Sequence, residues 1–237
     1  MHVSAHTDIG QEKQTNEDAV VTAEVAEATL LVVADGMGGH AAGDVASEEA
    51  TSELEAHVSA ALADGRTDYE TILGSAIEAA HDRVREHAEG DASQSGMGTT
   101  VVAAIVDDGQ AVIGNVGDSR AYAVGDSLRQ ITVDHSYVQE LISRGEITPE
   151  EATTHPQRHV LTQALGTEGD VEPDFYGQEI AEQLLLCSDG LTEEVSDEEI
   201  HQIIQEAADI EPATDELVQR ANENGGSDNI SVILANV

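Results

Sequence analysis

The chain has 237 residues, enough for one large domain or two small ones, and 40% of them are hydrophobic, which sets disorder aside. Forty-eight acidic residues against nine basic ones give a formal net charge of −39, so nucleic acid and anionic membrane surfaces are excluded as partners by repulsion. No signal peptide is read at the start, and the apolar runs are too short for a membrane span.

Short strands are expected at residues 2–7, 19–23 and 29–34, the last dense in Leu and Val. A glycine-rich turn, DGMGG at 35–39, follows directly. Two helices come next. In the second, Tyr69, Ile72, Leu73, Ala76, Ile77, Ala80 and Val84 form one apolar stripe. Thr67 and Glu70 have capping-box spacing before it, and Gly90 marks its end. Strands return at 99–106, 110–115 and 120–124, separated by Asp-Gly and Gly-Asp turns.

Residues 135–170 are mixed, with a short helix near 137–144 and then Pro149 and Pro156; the segment reads as an excursion lying over the core. A strand at 183–187 carries the single cysteine, Cys187, which is expected as a buried thiol and rules out an internal disulfide. Ser196 and Glu199 form a second capping box, Pro212 opens a last helix ending near Asn224, and a strand follows at 230–234. No linker or repeat divides residues 1–237, so one domain is expected. Strands in blocks with helix pairs between them argue against repeated βαβ units and for an α+β layered sandwich of antiparallel sheets with helices outside.

The acid is spread among apolar residues rather than massed in a tail, and Lys13 is the single lysine. At about 1 M salt the Debye length falls to roughly 3 Å and most self-repulsion disappears. The composition therefore points to the cytoplasm of a high-salt-adapted organism, with structure or activity lost in dilute buffer; a merely acidic mesophilic protein is the competing reading.

Three aspartates share one kind of position. Asp35 and Asp189 each end a strand and precede a glycine, Gly36 and Gly190, and Asp228 precedes the final strand. Carboxylates at strand ends are held rigidly while their heads face an open rim, where several can converge on a hard cation. Asp-Gly is equally a plain turn signal, and Asp64-Gly65 and Asp108-Gly109 read as such turns. Spacing alone leaves both readings open.

The motif strings add a further observation. Asp8-Ile9-Gly10 with Asn16-Glu17-Asp18, ADGMGGH at 34–40, MGTT at 97–100, GDSR at 117–120, HPQR at 155–158, CSDGL at 187–191 and GGSDNISV at 225–232 occur in this order. Together they resemble the microbial branch of the metal-dependent protein phosphatases, the type 2C family, from about residue 5 to 235. The resemblance implies a four-layer α-β-β-α sandwich, two antiparallel sheets flanked by helices, with residues 135–170 as a flap beside the site. It implies a protein phosphatase acting on phosphoserine and phosphothreonine, with two Mn²⁺ or Mg²⁺ ions. Asp35 would bridge them, the Gly36 carbonyl would bind one, and Asp189 and Asp228 would complete the other. Glu17 and Asp18 would act through water, and Asp118 would help hold a third, weaker ion. Two such ions acidify a shared water for in-line attack and neutralise the phosphate.

Lys13 stands where the family usually has a phosphate-gripping arginine; it keeps the charge but loses the bidentate fork. The proposed general acid of the animal branch corresponds to Met37 here, so the leaving-group acid is unassigned, with His40 within plausible reach. His155 and His159 read as structural or solvent-facing, and Arg120 and Arg158 as salt-bridge or turn anchors. Expected partners are phosphoproteins and the opposing Ser/Thr kinase pathway, with the chain a monomer. A catalytically weak regulatory binding module and a purely structural cation-binding protein are the competing readings.

Overall fold

The unbroken apolar runs become strands buried on both faces. In the computed structural model, which describes residues 1–38, 42–90, 94, 96–180 and 183–237, the run at 29–34 lies in β3 (Ala28–Met37). Successive side chains of a strand point to opposite faces. Leu30 and Val32 of β3 accordingly enter one hydrophobic cluster, and Leu31 and Val33 another. In β5 (Val101–Asp107), Val101, Ala103 and Ile105 join the first cluster, while Val102, Ala104 and Val106 join the second. In β10 (Gln183–Cys187), Leu184 and Leu186 join that second cluster, while Leu185 and Cys187 enter a third. Three apolar layers require four layers of structure.

One sheet runs in the order β2 (Asp18–Val25), β3, β5, β6 (Gln110–Val116), β9 (Asp174–Glu179), with β4 (Gly98–Thr99) pairing the end of β3. The other runs β1 (His2–Asp8), β11 (Ile230–Asn236), β10, β7 (Arg120–Val124), β8 (Leu128–Gln130). Every strand pair is antiparallel. Helices α1 (Gly43–Ala63) and α2 (Tyr69–Gly90) cover the first sheet. The expected stripe of α2 is buried from Ile72 to Val84, each large aliphatic contributing about 1.5–3 kcal/mol. Helices α5 (Asp189–Thr192), α6 (Asp197–Glu206) and α7 (Ile210–Asn224) cover the second sheet. Among the described residues no helix is long and apolar enough to cross a membrane.

Local differences have local causes. Helix α2 begins at Tyr69 and Ile72 N–H donates to the Asp68 carbonyl, so Asp68 rather than Thr67 precedes the helix. Helix α7 starts at Ile210, capped by Asp209, with Pro212 its third residue; first-turn N–H groups have no acceptor inside the helix, so a proline there loses nothing. In α6 the Ser196 hydroxyl accepts from Glu199 N–H as expected. The excursion holds α3 (Tyr137–Ser143) and a four-residue α4 (Pro149–Ala152) with a reciprocal Thr148–Glu151 capping box that the sequence reading missed. It does not merely lie over the core. Leu165 is fully buried in the first cluster and bridges to Thr99.

Candidate metal centre

Antiparallel pairing makes the strand-end aspartates neighbours. Asp18 opens β2 and pairs directly with Asp35 on β3. Asp118 lies between β6 and β7, and β7 begins opposite Cys187, two residues before Asp189. Asp228 lies just ahead of β11, whose Ser231 exchanges hydrogen bonds with Ser188. All five therefore meet at one edge of the sandwich, where Asp35 feels the charges of Asp18, Asp189, Asp118 and Asp228. Within the turn expected at 35–39, β3 instead continues through Asp35 and Gly36 to Met37, and Gly39 lies outside the described residues. Asp64-Gly65 and Asp108-Gly109 are turns, as read.

The backbone around these carboxylates is tied down closely. Asp35 N–H donates to Thr100 Oγ1 at 3.0 Å, and Thr99 Oγ1 donates to the Asp35 carbonyl at 2.9 Å. Gly36 admits no side chain: a Cβ there would lie 2.0 Å from the Gly43 carbonyl oxygen and 2.5 Å from that of Glu17. At Gly190 it would lie 2.1 Å from the Asn229 oxygen. Asn229 clamps the β1–β2 loop. Its Nδ2 donates to the Ile9 and Thr15 carbonyls at 2.9 and 3.0 Å, and its Oδ1 accepts from Glu17 N–H at 2.8 Å. That loop delivers Lys13 and Glu17, and the Glu17 carboxylate packs against Gly43.

Burial, then mutual repulsion, pushes Asp35 and Asp118 well above the usual carboxylate range. Asp189 is raised by burial and Asp228. For Asp18 burial dominates, although Ser231 and Ser188 pull the other way. Ser188 Oγ donates to Asp18 Oδ2 at 2.8 Å, but Asp18 Oδ1 and Asp189 Oδ1 are buried without a hydrogen-bond partner. Such orphaned oxygens among crowded carboxylates are destabilising by themselves. An oxygen-only donor set of this kind fits hard divalent cations. Lys13 Nζ lies 2.5 Å from Asp228 Oδ1. Burial alone would lower its ammonium, but Asp228, Asp35 and Glu17 outweigh burial and hold it above its ordinary value.

The other expected residues divide. Arg120 grips Asp134, with Nη2 2.7 Å from Oδ2, and is a salt-bridge anchor. Arg158 is exposed and lines a cavity of about 650 Å³ between the excursion and this edge, along with Asp118, Asp189, Glu193 and Val138. His155 stacks obliquely on Tyr137 at 6.2 Å, and His159 Nδ1 lies 2.9 Å from Glu193 Oε1. Met37 is half-buried at the end of β3, and His40 lies outside the described residues. Cys187 is buried with its thiol pushed up to about 12 by burial, which leaves it protonated and unsuited to nucleophilic attack.

Sequence reading missed the residues that hold the site. Asn229, Ser188 and Thr100 were inside quoted motifs but had no assigned work. His135 clamps Gly117 from both sides: His135 N–H donates to the Gly117 carbonyl at 2.9 Å, and Gly117 N–H donates to His135 Nδ1 at 3.2 Å. Its Nε2 then donates to Asp174 Oδ2 at 3.1 Å. A neutral ring that accepts at Nδ1 carries its proton at Nε2, which fixes the tautomer.

A two-sheet sandwich with helices outside and acidic residues converging on one edge is the architecture of a metal-dependent phosphatase. The sequence matches a family described as protein phosphatase 2C over residues 8–235, and the chain belongs to that family. It is 42% identical over 241 residues to the serine/threonine phosphatase stp of Listeria innocua, covering 99% of this chain and 95% of that protein. It matches the crystal structure of the serine/threonine phosphatase Stp1 from Staphylococcus aureus with a TM-score of 0.92 and 40% identity, covering 99% and 94% of the two chains. The catalytic domain of the phosphatase PstP, solved with two manganese ions, matches with a TM-score of 0.86 and 35% identity, covering 99% and 97%.

Proposed function

We infer that this chain is a metal-dependent protein serine/threonine phosphatase, hydrolysing phosphoserine and phosphothreonine in proteins. The observation that carries the site assignment is the crowding of buried and half-buried carboxylates at one edge, two of their oxygens lacking a hydrogen-bond partner. Asp35, the Gly36 carbonyl, Asp189 and Asp228 would hold the two ions. Glu17 and Asp18 would support them through water, and Asp118 would help hold a third, weaker ion. When bound, two Mn²⁺ or Mg²⁺ ions supply an acidified water as nucleophile and positive charge that offsets the phosphate.

The chain's own residues do the rest. Thr99 and Thr100 fix Asp35 by its backbone, and Ser188 orients Asp18. Asn229 holds the loop that brings Lys13 to the edge, and Lys13 binds the substrate phosphate as a point charge without an arginine's fork. Residues 1–237 act as one catalytic domain with 135–170 as its flap. The protein works as a monomer in the cytoplasm of a high-salt organism and opposes a Ser/Thr kinase. Every ligand position is intact, which disfavours a regulatory module that has lost turnover.

The test is phosphate release from a phosphothreonine peptide with Mn²⁺ in about 1 M KCl, where surface repulsion is screened. Release is expected from the wild-type chain, and none at any metal concentration would overturn the assignment. Lys13→Ala should raise KM by about tenfold while metal binding stays intact, as for a lost charge-assisted contact. An unchanged KM removes the phosphate role of Lys13. Dilution to low salt should cost structure or activity; full stability there would remove the high-salt reading.

A further inference from the structure

We propose that His81 is a positioning residue for Asp35, acting through the one peptide group that joins Leu165 to Gly166 near the end of the 135–170 excursion. His81 lies on α2, outside all the motif strings, and is buried although its ring is polar. Both ring nitrogens are used on the excursion. Nδ1 accepts from Gly166 N–H at 3.2 Å, and Nε2 lies 3.0 Å from the Gly169 carbonyl oxygen. A neutral ring that accepts at Nδ1 carries its proton at Nε2, so Nε2 donates to Gly169 and the tautomer is fixed.

The other end of that peptide group faces the sheet. The Leu165 carbonyl accepts from Thr99 N–H at 3.1 Å, and Leu165 N–H donates to the Thr99 carbonyl at 2.8 Å. Thr99 Oγ1 donates in turn to the Asp35 carbonyl at 2.9 Å, which also accepts from Thr100 N–H at 2.9 Å. One planar group therefore has its N–H on α2 and its oxygen on β4, two hydrogen bonds from the Asp35 backbone. Close packing leaves it no slack. A Cβ on Gly166, whose φ is +81°, would lie 2.3 Å from Val84 Cγ1, and one on Gly98 would lie 2.8 Å from the Leu165 oxygen. His81 and Val84 are three residues apart and share a face of α2, so one helix face seats the excursion by contact and by hydrogen bond. Without the imidazole, the half-buried Gly166 N–H loses its acceptor, and the hold on Thr99 and Asp35 loosens with it. The consequence for metal binding rests on reading Asp35 as a ligand; the backbone link does not.

Three variants separate this role from packing. His81→Asn keeps an acceptor near the Nδ1 position on a smaller side chain. His81→Gln keeps only the reach to Gly169, and His81→Leu fills the space with neither bond. Amide hydrogen exchange is followed by NMR on the full chain, in chelator and about 1 M KCl. In the Gln and Leu variants the Gly166, Thr99 and Thr100 amides should exchange about tenfold faster, while the Asn variant keeps the wild-type rates. The Val33 and Val102 amides, in the aliphatic layer, should not change in any variant. Mn²⁺ affinity, read by calorimetry, should then fall about tenfold in the Gln and Leu variants but not in the Asn variant, as loss of a ligand's support does. Faster exchange in all three variants alike, or in none, makes His81 a packing residue and overturns the proposal. So does faster exchange confined to Gly166, because the link then stops short of Asp35. If the wild-type chain binds no Mn²⁺, the metal centre fails instead, and the Thr99 and Thr100 rates alone decide the role of His81.

Discussion

The layer between the two sheets and the edge where the aspartates meet follow opposite rules. Between the sheets, Leu31, Val33, Val102, Ile113, Leu184, Leu186 and Ile233 make an aliphatic contact that gains stability from burial alone. At the edge, buried and half-buried carboxylates repel one another and two oxygens lack hydrogen-bond partners. The same strands build both regions, since β3 passes from Val33 to Asp35 within two residues. The aliphatic layer supplies the stability that lets the edge hold its charges together. The edge draws no such stability from its own groups, and the proposed metal ions are what would stabilise it.

Asp35→Asn tests that contrast most severely. It should lower phosphate release about a thousandfold, because several kcal/mol of transition-state charge stabilisation depend on this ligand set. Yet in chelator it should raise stability, because it removes one of several carboxylates that burial and mutual repulsion disfavour. In saturating Mn²⁺ the order should reverse, since bound metal stabilises the wild-type chain by mass action. Melting curves with and without metal check the crossing, and a variant less stable in both conditions would break the comparison.

Leu184→Ala, in the aliphatic layer, should cost about 2–5 kcal/mol with or without metal, lowering Tm by roughly 5–15 °C. Metal affinity of the folded fraction should not change, which calorimetry below the transition would check. The smallest effect separates two contacts of His135. His135→Asn can keep an acceptor facing Gly117 N–H, whereas His135→Gln can keep only the reach to Asp174. The Gln variant should lose about tenfold more affinity for the weaker ion proposed at Asp118, as loss of a ligand's support does. Equal losses would make His135 a simple packing residue.

Much of the fold was legible because burial on both faces writes unbroken apolar runs, as in β3, β5 and β10. Strand β9 was not legible: its segment DFYGQE alternates weakly, and it lies at a sheet edge beside β6. Strand β8 has three residues, too few for any periodic signal. Asp35, Asp189 and Asp228 could be singled out because each is tied to a strand end or a glycine. Their supports could not. Asn229 reaches the Glu17 amide and Thr100 the Asp35 amide, contacts between segments far apart in sequence that exist only once both sheets have closed. The Thr67 capping box failed because spacing cannot choose between adjacent capping residues when Asp68 also qualifies.

Strand β11 sets the timetable of assembly on the ribosome. It lies between β1 and β10, pairing Ile230 with Asp8 and Val232 with Cys187, and Asp228 and Asn229 immediately precede it. At about 5–20 residues per second, β1 waits roughly 10–45 s for its neighbour to be synthesised. The helices over β2–β3–β5–β6 can dock in that interval, but β1 and β10 have a gap between them. A nascent chain that has made Asp35 and Asp189 therefore exposes an unzipped sheet and no finished catalyst. If Asp228 is a metal ligand as proposed, phosphate release should begin only once β11 has zipped between β1 and β10.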